Sequence, residues 1–427
     1  MFNVAQFKIT PVAAAMMTLL SVQALADNST STQTQDGATN QATVIQTAAS
    51  LSTVTQTQTG DGNSATADQL ADAGSSSTQT QTGNENIATS VQHNGSDVTA
   101  IQTQTGNEND ARSTQNGETG SISSTVQNGN THDASVTQLS GSVNQVHIIQ
   151  NDDGNIAATV QDSESNSTID LQQFVDGNDA YVDQAGGSGN TATVLQSGTG
   201  NYSGTWQWDQ LGSNSTTTQY GTGNEAIVDQ LVGEYNQATV WQDGGTNAVL
   251  VEQYDAYGVT ASVSQSGGDN NLSYLYQEGD GHSLTVTSVG SDNKVYAGTE
   301  YGDYNDGGQF GTGQSATLTQ SGGENLVNLH QTGSYNELYF DQSGTGNTLT
   351  AVQSDGGGLD VGNYAMGYSH GDYNTVTLDQ SGSSNWAEIK QEAGSSYNTA
   401  TVTQSSLSQT AYITQYGTGN TATTTQN

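Results

Sequence analysis

Polar and apolar positions alternate along most of this chain, and the position that keeps strict time is a polar one. Glutamine stands at Gln35, Gln46, Gln58, Gln69, Gln81, Gln92, Gln104, Gln115, Gln127, Gln138 and Gln150, then at Gln161, Gln173, Gln184, Gln196, Gln207, Gln219, Gln230, Gln242, Gln253 and Gln265. The steps alternate between 11 and 12 residues, so the repeat is 23 residues long. Six residues before every second glutamine comes asparagine, at Asn40, Asn63, Asn86, Asn109, Asn155, Asn178, Asn201, Asn224 and Asn247, with His132 as the exception. Four before the same glutamines comes a small residue, such as Ala65, Ala88 or Ala226. The alternate glutamines have Ser or Asn six before them, as in Ser52 and Asn144, and usually Gly two after, as in Gly83 and Gly106. All these offsets are even. A strand turns successive side chains to opposite faces, so the recurring residues share one face.

Each repeat therefore reads as strand, glycine turn, strand, turn. Gly60, Gly62, Gly198, Gly200, Gly221, Gly223, Gly417 and Gly419 supply the left-handed conformations that tight turns need. A period of about 20–50 residues marks a stacked repeat architecture. With each coil lying about 4.8 Å from the last, like side chains superpose and their amides hydrogen-bond along the stack. The constant Asn, Ala and Gln positions become the interior. The variable Thr, Asp, Ile, Tyr and Trp positions become the outer face. The expected fold is all-β, a β-solenoid of about sixteen stacked strand-turn-strand repeats of 22–23 residues.

The register divides the chain. Residues 27–277 read as regular repeats, 278–319 as irregular repeats with an insertion, and 320–427 as further repeats with a second insertion at 354–373. Ser288 and Thr299 stand where glutamine is expected. The insertions, at 300–313 and 354–373, both carry Gly-Asp-Tyr-Asn, at 302–305 and 371–374. They read as turns looped out at the solenoid edge, the alternative being a pair of binding loops with exposed tyrosines. Two residues before the first-class glutamines the early repeats have Gln33, Gln56, Gln79 and Gln102, whereas later ones have Ile148, Leu171, Val194, Val240 and Val263. That difference predicts a wetter, more frayed interior over 29–127 and the most stable block over 144–265.

Composition supports ladders over a conventional core. Only 31% of the residues are hydrophobic and 7% aromatic, against roughly 45–50% apolar for globular chains. Disorder is the ordinary reading of such a shortage, but only 11% is charged and the single proline is Pro11. Proline cannot donate to a sheet ladder, so its absence from the repeats agrees with strand throughout. There is no cysteine, which excludes disulfides and thiolate metal sites. Residues 1–26 read as a secretory signal peptide: Lys8, then a short apolar run, then Ala24-Leu25-Ala26. After its removal the chain has 3 basic residues against 42 acids, 3 − 42 = −39. That charge excludes a nucleic-acid partner. No later segment is long and apolar enough to span a membrane.

The stretch Ser213-x5-Gln219-x-Gly221-x-Gly223-Asn224-x-Ala226-x3-Gln230 resembles the curlin repeat of curli fibre subunits at every defined position, as does the one from Ser52 to Gln69. The last repeat, Gln415 to Gln426, matches from its first glutamine. The resemblance covers residues 29–426 with interruptions. It implies a secreted protein, exported through an outer-membrane curli-type channel, that polymerises with itself or other curlin-like subunits into extracellular amyloid for biofilm matrix and adhesion. A monomeric or minor-subunit adhesin, a nucleator or a fibre cap stays open as the alternative. Ice binding is a third option, weakened by outward pairs such as Glu225 and Ile227 where a threonine row is required.

Catalytic chemistry is not indicated. The six histidines share no spacing, and no H-E-x-x-H, G-x-S-x-G or phosphate-loop motif occurs. No catalytic, cofactor or metal residue is assigned, and no cofactor is expected. Trp206 and Trp241 fall at odd offsets and read as outward, a candidate adhesive stripe.

Overall fold

A computed structural model describes residues 27–298, 307–355 and 361–427. The segment read as a signal peptide, the first Gly-Asp-Tyr-Asn and Thr299 lie outside the described residues. The chain divides into two compact units, Met1–Gly212 and Ser213–Asn427. Each is a parallel β-solenoid, and the described residues include no helix.

In the first unit sixteen strands, from Thr30–Asp36 to Tyr202–Leu211, make eight two-stranded coils. No strand of the ladder pairs with its sequence neighbour. Thr30–Asp36 pairs in parallel with Thr53–Thr59, placing Gln35 against Gln58. Gln41–Thr47 pairs with Ser64–Leu70, placing Gln46 against Gln69. Two sheets thus face each other, each adding one strand per coil. A slip of one residue would turn every ladder side chain outward, so the buried amides fix the register. In the second unit nineteen strands, from Asn214–Thr222 to Thr421–Gln426, make nine coils, one with a split second strand.

The interior changes character along the first unit. Ala134, Val136, Ile148, Ile169, Leu171, Val182 and Val194 belong to one apolar cluster. Ahead of it the interior is amide. Gln56, Gln79 and Gln102 have no exposed surface, and Gln33, Gln56 and Gln79 each donate to the next at 2.8–2.9 Å. The positions expected to be wet are therefore buried and hydrogen-bonded as a third ladder. Leu275, Leu318, Leu329 and Leu378 lead the apolar interior of the second unit. There Phe340 takes the space left by Gly367, where a Cβ would come within 3.0 Å of its ring.

Both interruptions are smaller than the sequence suggests. The first lies between Lys294–Ala297 and Gly308–Thr312, two halves of one strand, and Gln309 fills the rung. The second does not occupy all of 354–373, because Tyr364–Asp372 is a sheet strand with Ser369 in the glutamine position. The second Gly-Asp-Tyr-Asn is an ordinary coil turn. Gly371 stacks under the carbonyl of Ser395 just as Gly344 stacks under that of Gly371.

Candidate assembly edges and the amide ladders

The glutamines form two hydrogen-bonded columns in each unit. In the first column of the first unit, Gln35 Nε2 donates to Gln58 Oε1 at 2.7 Å, and Gln58, Gln81, Gln104, Gln127, Gln150 and Gln173 repeat the contact at 2.8–2.9 Å, ending on Gln196. In the second, Gln46, Gln69, Gln92, Gln115, Gln138, Gln161 and Gln184 each donate to the next, ending on Gln207, at 2.7–3.0 Å. In the second unit Gln219 donates to Gln242, which donates to Gln265, at 2.9 and 3.0 Å. Gln230 donates to Gln253 at 2.8 Å, and that column continues through Gln277 and Gln309 to Gln331.

The second amide hydrogen crosses to the opposite sheet. Gln58 Nε2 reaches Gln41 O at 2.9 Å, and Gln92 Nε2 reaches Ser76 O at 2.9 Å. A buried amide is costly only when unpaired. Here most of them both extend a column and tie the sheets together, and aligned amides polarise one another. Serine interrupts the pattern. Gln265 donates to Ala248 O and Ser273 Oγ, and Ser288 restarts the column by donating to Gln320 at 3.1 Å.

The asparagine column at the first turn runs the other way. Asn63 donates from both its backbone N–H and Nδ2 to Asn40 Oδ1, at 2.9 and 3.2 Å. Asn86 and Asn109 donate in turn to Asn63 and Asn86. His132 holds the rung: its backbone N–H donates to Asn109 Oδ1 at 3.0 Å, and its ring Nδ1 accepts from Asn155 N at 3.2 Å. Asn178 donates to Asn155, and Asn201 to Asn178. Asn247 donates to Asn224 at 3.1 Å in the second unit. The sequence reading missed that His282 is a rung too, accepting from Gln314 N at 3.1 Å on the other turn. Burial pushes both histidines below the usual imidazole range.

The turn glycines are of two kinds. Gly60 and Gly221 sit under the next coil, where a Cβ would lie 2.0 and 2.1 Å from a carbonyl oxygen. Gly198 shares their column, at φ +149°. Gly62, Gly200, Gly223 and Gly419 hold φ between +64° and +74° with no atom within 3.4 Å of an added Cβ. Their column also accepts Thr39, Glu85 and Glu108 at similar φ. Gly417 has φ +83°. Only the first kind is required by close approach.

The end coils have one neighbour each. Among the described residues, Thr30–Asp36 and Gln41–Thr47 pair only with the coil after them, and Thr410–Gln415 and Thr421–Gln426 only with the coil before. The ladder side chains of Thr30–Asp36, Gln41–Thr47 and Thr421–Gln426 are half-buried, whereas those of Thr410–Gln415 stay covered. The rung order leaves Gln35 and Gln46 Oε1 as acceptors at one edge and, at the other, Gln426 Nε2 with one hydrogen beyond the one it gives Thr410 O, whereas Gln415 Nε2 is buried and donates to Thr399 O and Asn420 O. The asparagine column leaves Asn420 Oδ1 as the facing acceptor. Open strand edges of this kind template further strands.

Elsewhere the surface shows little organised chemistry. Arg112 pairs with Asp110 and Lys390 with Glu388. His370 meets Asp341 at 2.9 Å. No group of three or more His, Asp or Glu placed to hold a metal occurs among the described residues. Trp206 and Trp241 are half-buried on outward positions, and Trp206 packs over Gly204.

The family model described as Curlin associated repeat matches residues 165–198, 215–244, 259–290 and 371–405. No curated protein matches the chain. The rungs from Gln35 to Gln161, ahead of the first matched segment, have the same geometry as those inside it.

Proposed function

The chain is a curlin-repeat protein, and from that premise we propose that it is a secreted structural subunit that self-assembles into extracellular curli-like amyloid fibres for biofilm matrix and surface adhesion. Its partners are itself and other curlin-like subunits, and an outer-membrane curli-type channel is the proposed export route. One observation carries the reading: among the described residues the strands at the two edges pair on one side only, with acceptors of Gln35 and Gln46 at one edge and the donor of Gln426 at the other. A second molecule docked head to tail continues both columns in register. The 42 acids keep unassembled chains apart until the edges meet.

The alternative, a minor-subunit adhesin, nucleator or cap, draws on an aromatic stack on one outer face. Tyr364 stacks on Trp386 at 4.4 Å between ring centres, with Tyr339 beside it at 5.9 Å.

The test is to hold residues 27–427 at neutral pH and follow thioflavin T fluorescence, then fibre diffraction. Assembly is expected, with a meridional reflection at about 4.7–4.8 Å. Persistent monomers without that reflection sink the fibre reading and leave the adhesin.

A further inference from the structure

The first unit keeps its large aromatic polar side chains in one place. Within residues 27–212 the only tyrosines and tryptophans are Tyr181, Tyr202, Trp206 and Trp208. All four stand at outward positions of two strands, Asp179–Ala185 and Tyr202–Leu211. Those strands are neighbours in one sheet, and their register sets Tyr181 beside Gly204 and Asp183 beside Trp206.

Gly204 lets the group close up. Glycine inside a strand weakens it and often marks a close approach. Here a Cβ would lie 2.5 Å from the benzo edge of Trp206 and 3.3 Å from the Tyr202 hydroxyl. The Trp206 ring thus leans over the backbone and buries the glycine beneath it. Tyr181 stands beside that ring, 5.5 Å between centres and inclined by 43°, so the two make a corner rather than a stack. Both are half-buried and Trp208 is 45% exposed, which leaves ring surface open to solvent. A carboxylate shares the corner. Asp183 Oδ2 accepts from the Tyr181 hydroxyl at 3.3 Å. Trp208, whose only donor is its indole N–H, also donates to Asp183.

We propose that Tyr181, Trp206, Trp208 and Asp183 form a binding site for a small methylated ammonium ion, of which choline is the simplest. The site lies on an outer sheet face, so it is independent of the open strand edges on which assembly rests.

Charge and ring chemistry choose this ligand together. Asp183 faces a negative neighbour, Asp162, and Asp179 lies across from Tyr202 on the same strands. The only arginine or lysine within residues 27–212 is Arg112, which pairs with Asp110. Burial pushes the Asp183 carboxyl up, and the two hydrogen bonds it accepts pull it back toward the ionised form. A cation in the corner completes that balance. Aromatic faces attract a cation within about 6 Å of the ring centre, Trp best of all. Rings rather than further oxygens surround the carboxylate, which suits a weakly hydrated cation whose methyl groups can lie against indole and phenol. The flanking acids disfavour any ligand with an anionic group next to its ammonium, such as a betaine or a phosphocholine head group.

The test is a choline titration of the dilute, monomeric full chain at neutral pH, followed by calorimetry and tryptophan fluorescence. Physiological ionic strength screens general attraction to the surface acids. Choline should bind at least about tenfold more tightly than its uncharged isostere, in which a tert-butyl group replaces trimethylammonium, and than glycine betaine. Equal binding of the isostere overturns the role of charge, and equal binding of betaine overturns the role of the acids. Trp206→Ala and Asp183→Asn should each weaken choline binding about tenfold, whereas Asp243→Asn, which removes a charge from the second unit, should leave it unchanged. An equal loss in Asp243→Asn would reduce the effect to net charge and overturn the site. If Trp206→Ala fails to fold, Asp183→Asn decides alone, because it keeps the acceptor oxygen and removes only the charge; unchanged affinity there overturns the proposal. Because the titration uses monomers, its outcome is separate from that of fibre formation.

Discussion

Replacing Asp72 by glutamate should stabilise the protein, an unusual direction for a change at a buried charge. In the sister corners a serine three residues on donates to the acid at 2.6 Å, Ser121 to Glu118 and Ser167 to Glu164. Asp72 is one methylene shorter. Its Oδ2 and the hydroxyl of Ser75 are both buried without a hydrogen-bond partner. Val98 stands where Asn144 and Asn190 supply a further donor to the other two acids. The longer side chain brings the carboxylate to Ser75 and satisfies both atoms. Making that one hydrogen bond, which satisfies both orphaned atoms, is worth about 1.5–3 kcal/mol. Ordering one more side-chain torsion takes back about 0.5–1 kcal/mol. The net expectation is a gain of about 1.5 kcal/mol, roughly tenfold in local opening. Hydrogen exchange of peptides covering 64–98 reads it directly, with Glu118→Asp as the mirror experiment in 110–144. Unchanged or reduced protection in D72E would refute the reasoning, and would mean that a bound water already joins Asp72 to Ser75.

Gly106→Ala should unfold its coil: the residue has φ +122°, and the new Cβ would lie 1.8 Å from Gly129 O. The loss should exceed about 3 kcal/mol, read as lost strand circular dichroism, whereas Gly62→Ala, in the open column, should cost only about 1 kcal/mol. His132→Asn should restore the asparagine column between Asn109 and Asn155. Because burial lowers the His132 pKa below 6.5, the wild-type rung is intact above that value and weakens as pH falls through the lowered one. The variant should lose that acid sensitivity in exchange measurements over 109–155, and an unchanged acid response would exclude the histidine as its source.

The ladder was legible in the sequence because its constraint is absolute and periodic. A glutamine that must meet another glutamine about 4.8 Å away leaves an unbroken mark at a fixed step. The acid column was less visible because its constraint spans two coils. Asp72, Glu118 and Glu164 each look like a turn acid alone, and only the glycines between them, Gly95, Gly141 and Gly187, betray a shared buried space. The interruptions misled for a different reason. Gln309 and Ser369 complete rungs at positions off the 11- and 12-residue count, and counting residues cannot see where the register resumes. The wetness expected of Gln56, Gln79 and Gln102 overlooked that such an amide finds its partners in a like neighbour and in backbone carbonyls, as Gln102 does with Gln79 below it and with Thr89 O and Ala111 O.

The opposed directions of the columns give the fold an electrical polarity. Every glutamine amide in the two columns points its N–H toward the C-terminal end, so their dipoles add along the stack as peptide dipoles add in a helix. The asparagine amides point back and offset part of the sum. A fibre built head to tail from such units is a vector. Its two tips are chemically different, so they should add subunits at different rates.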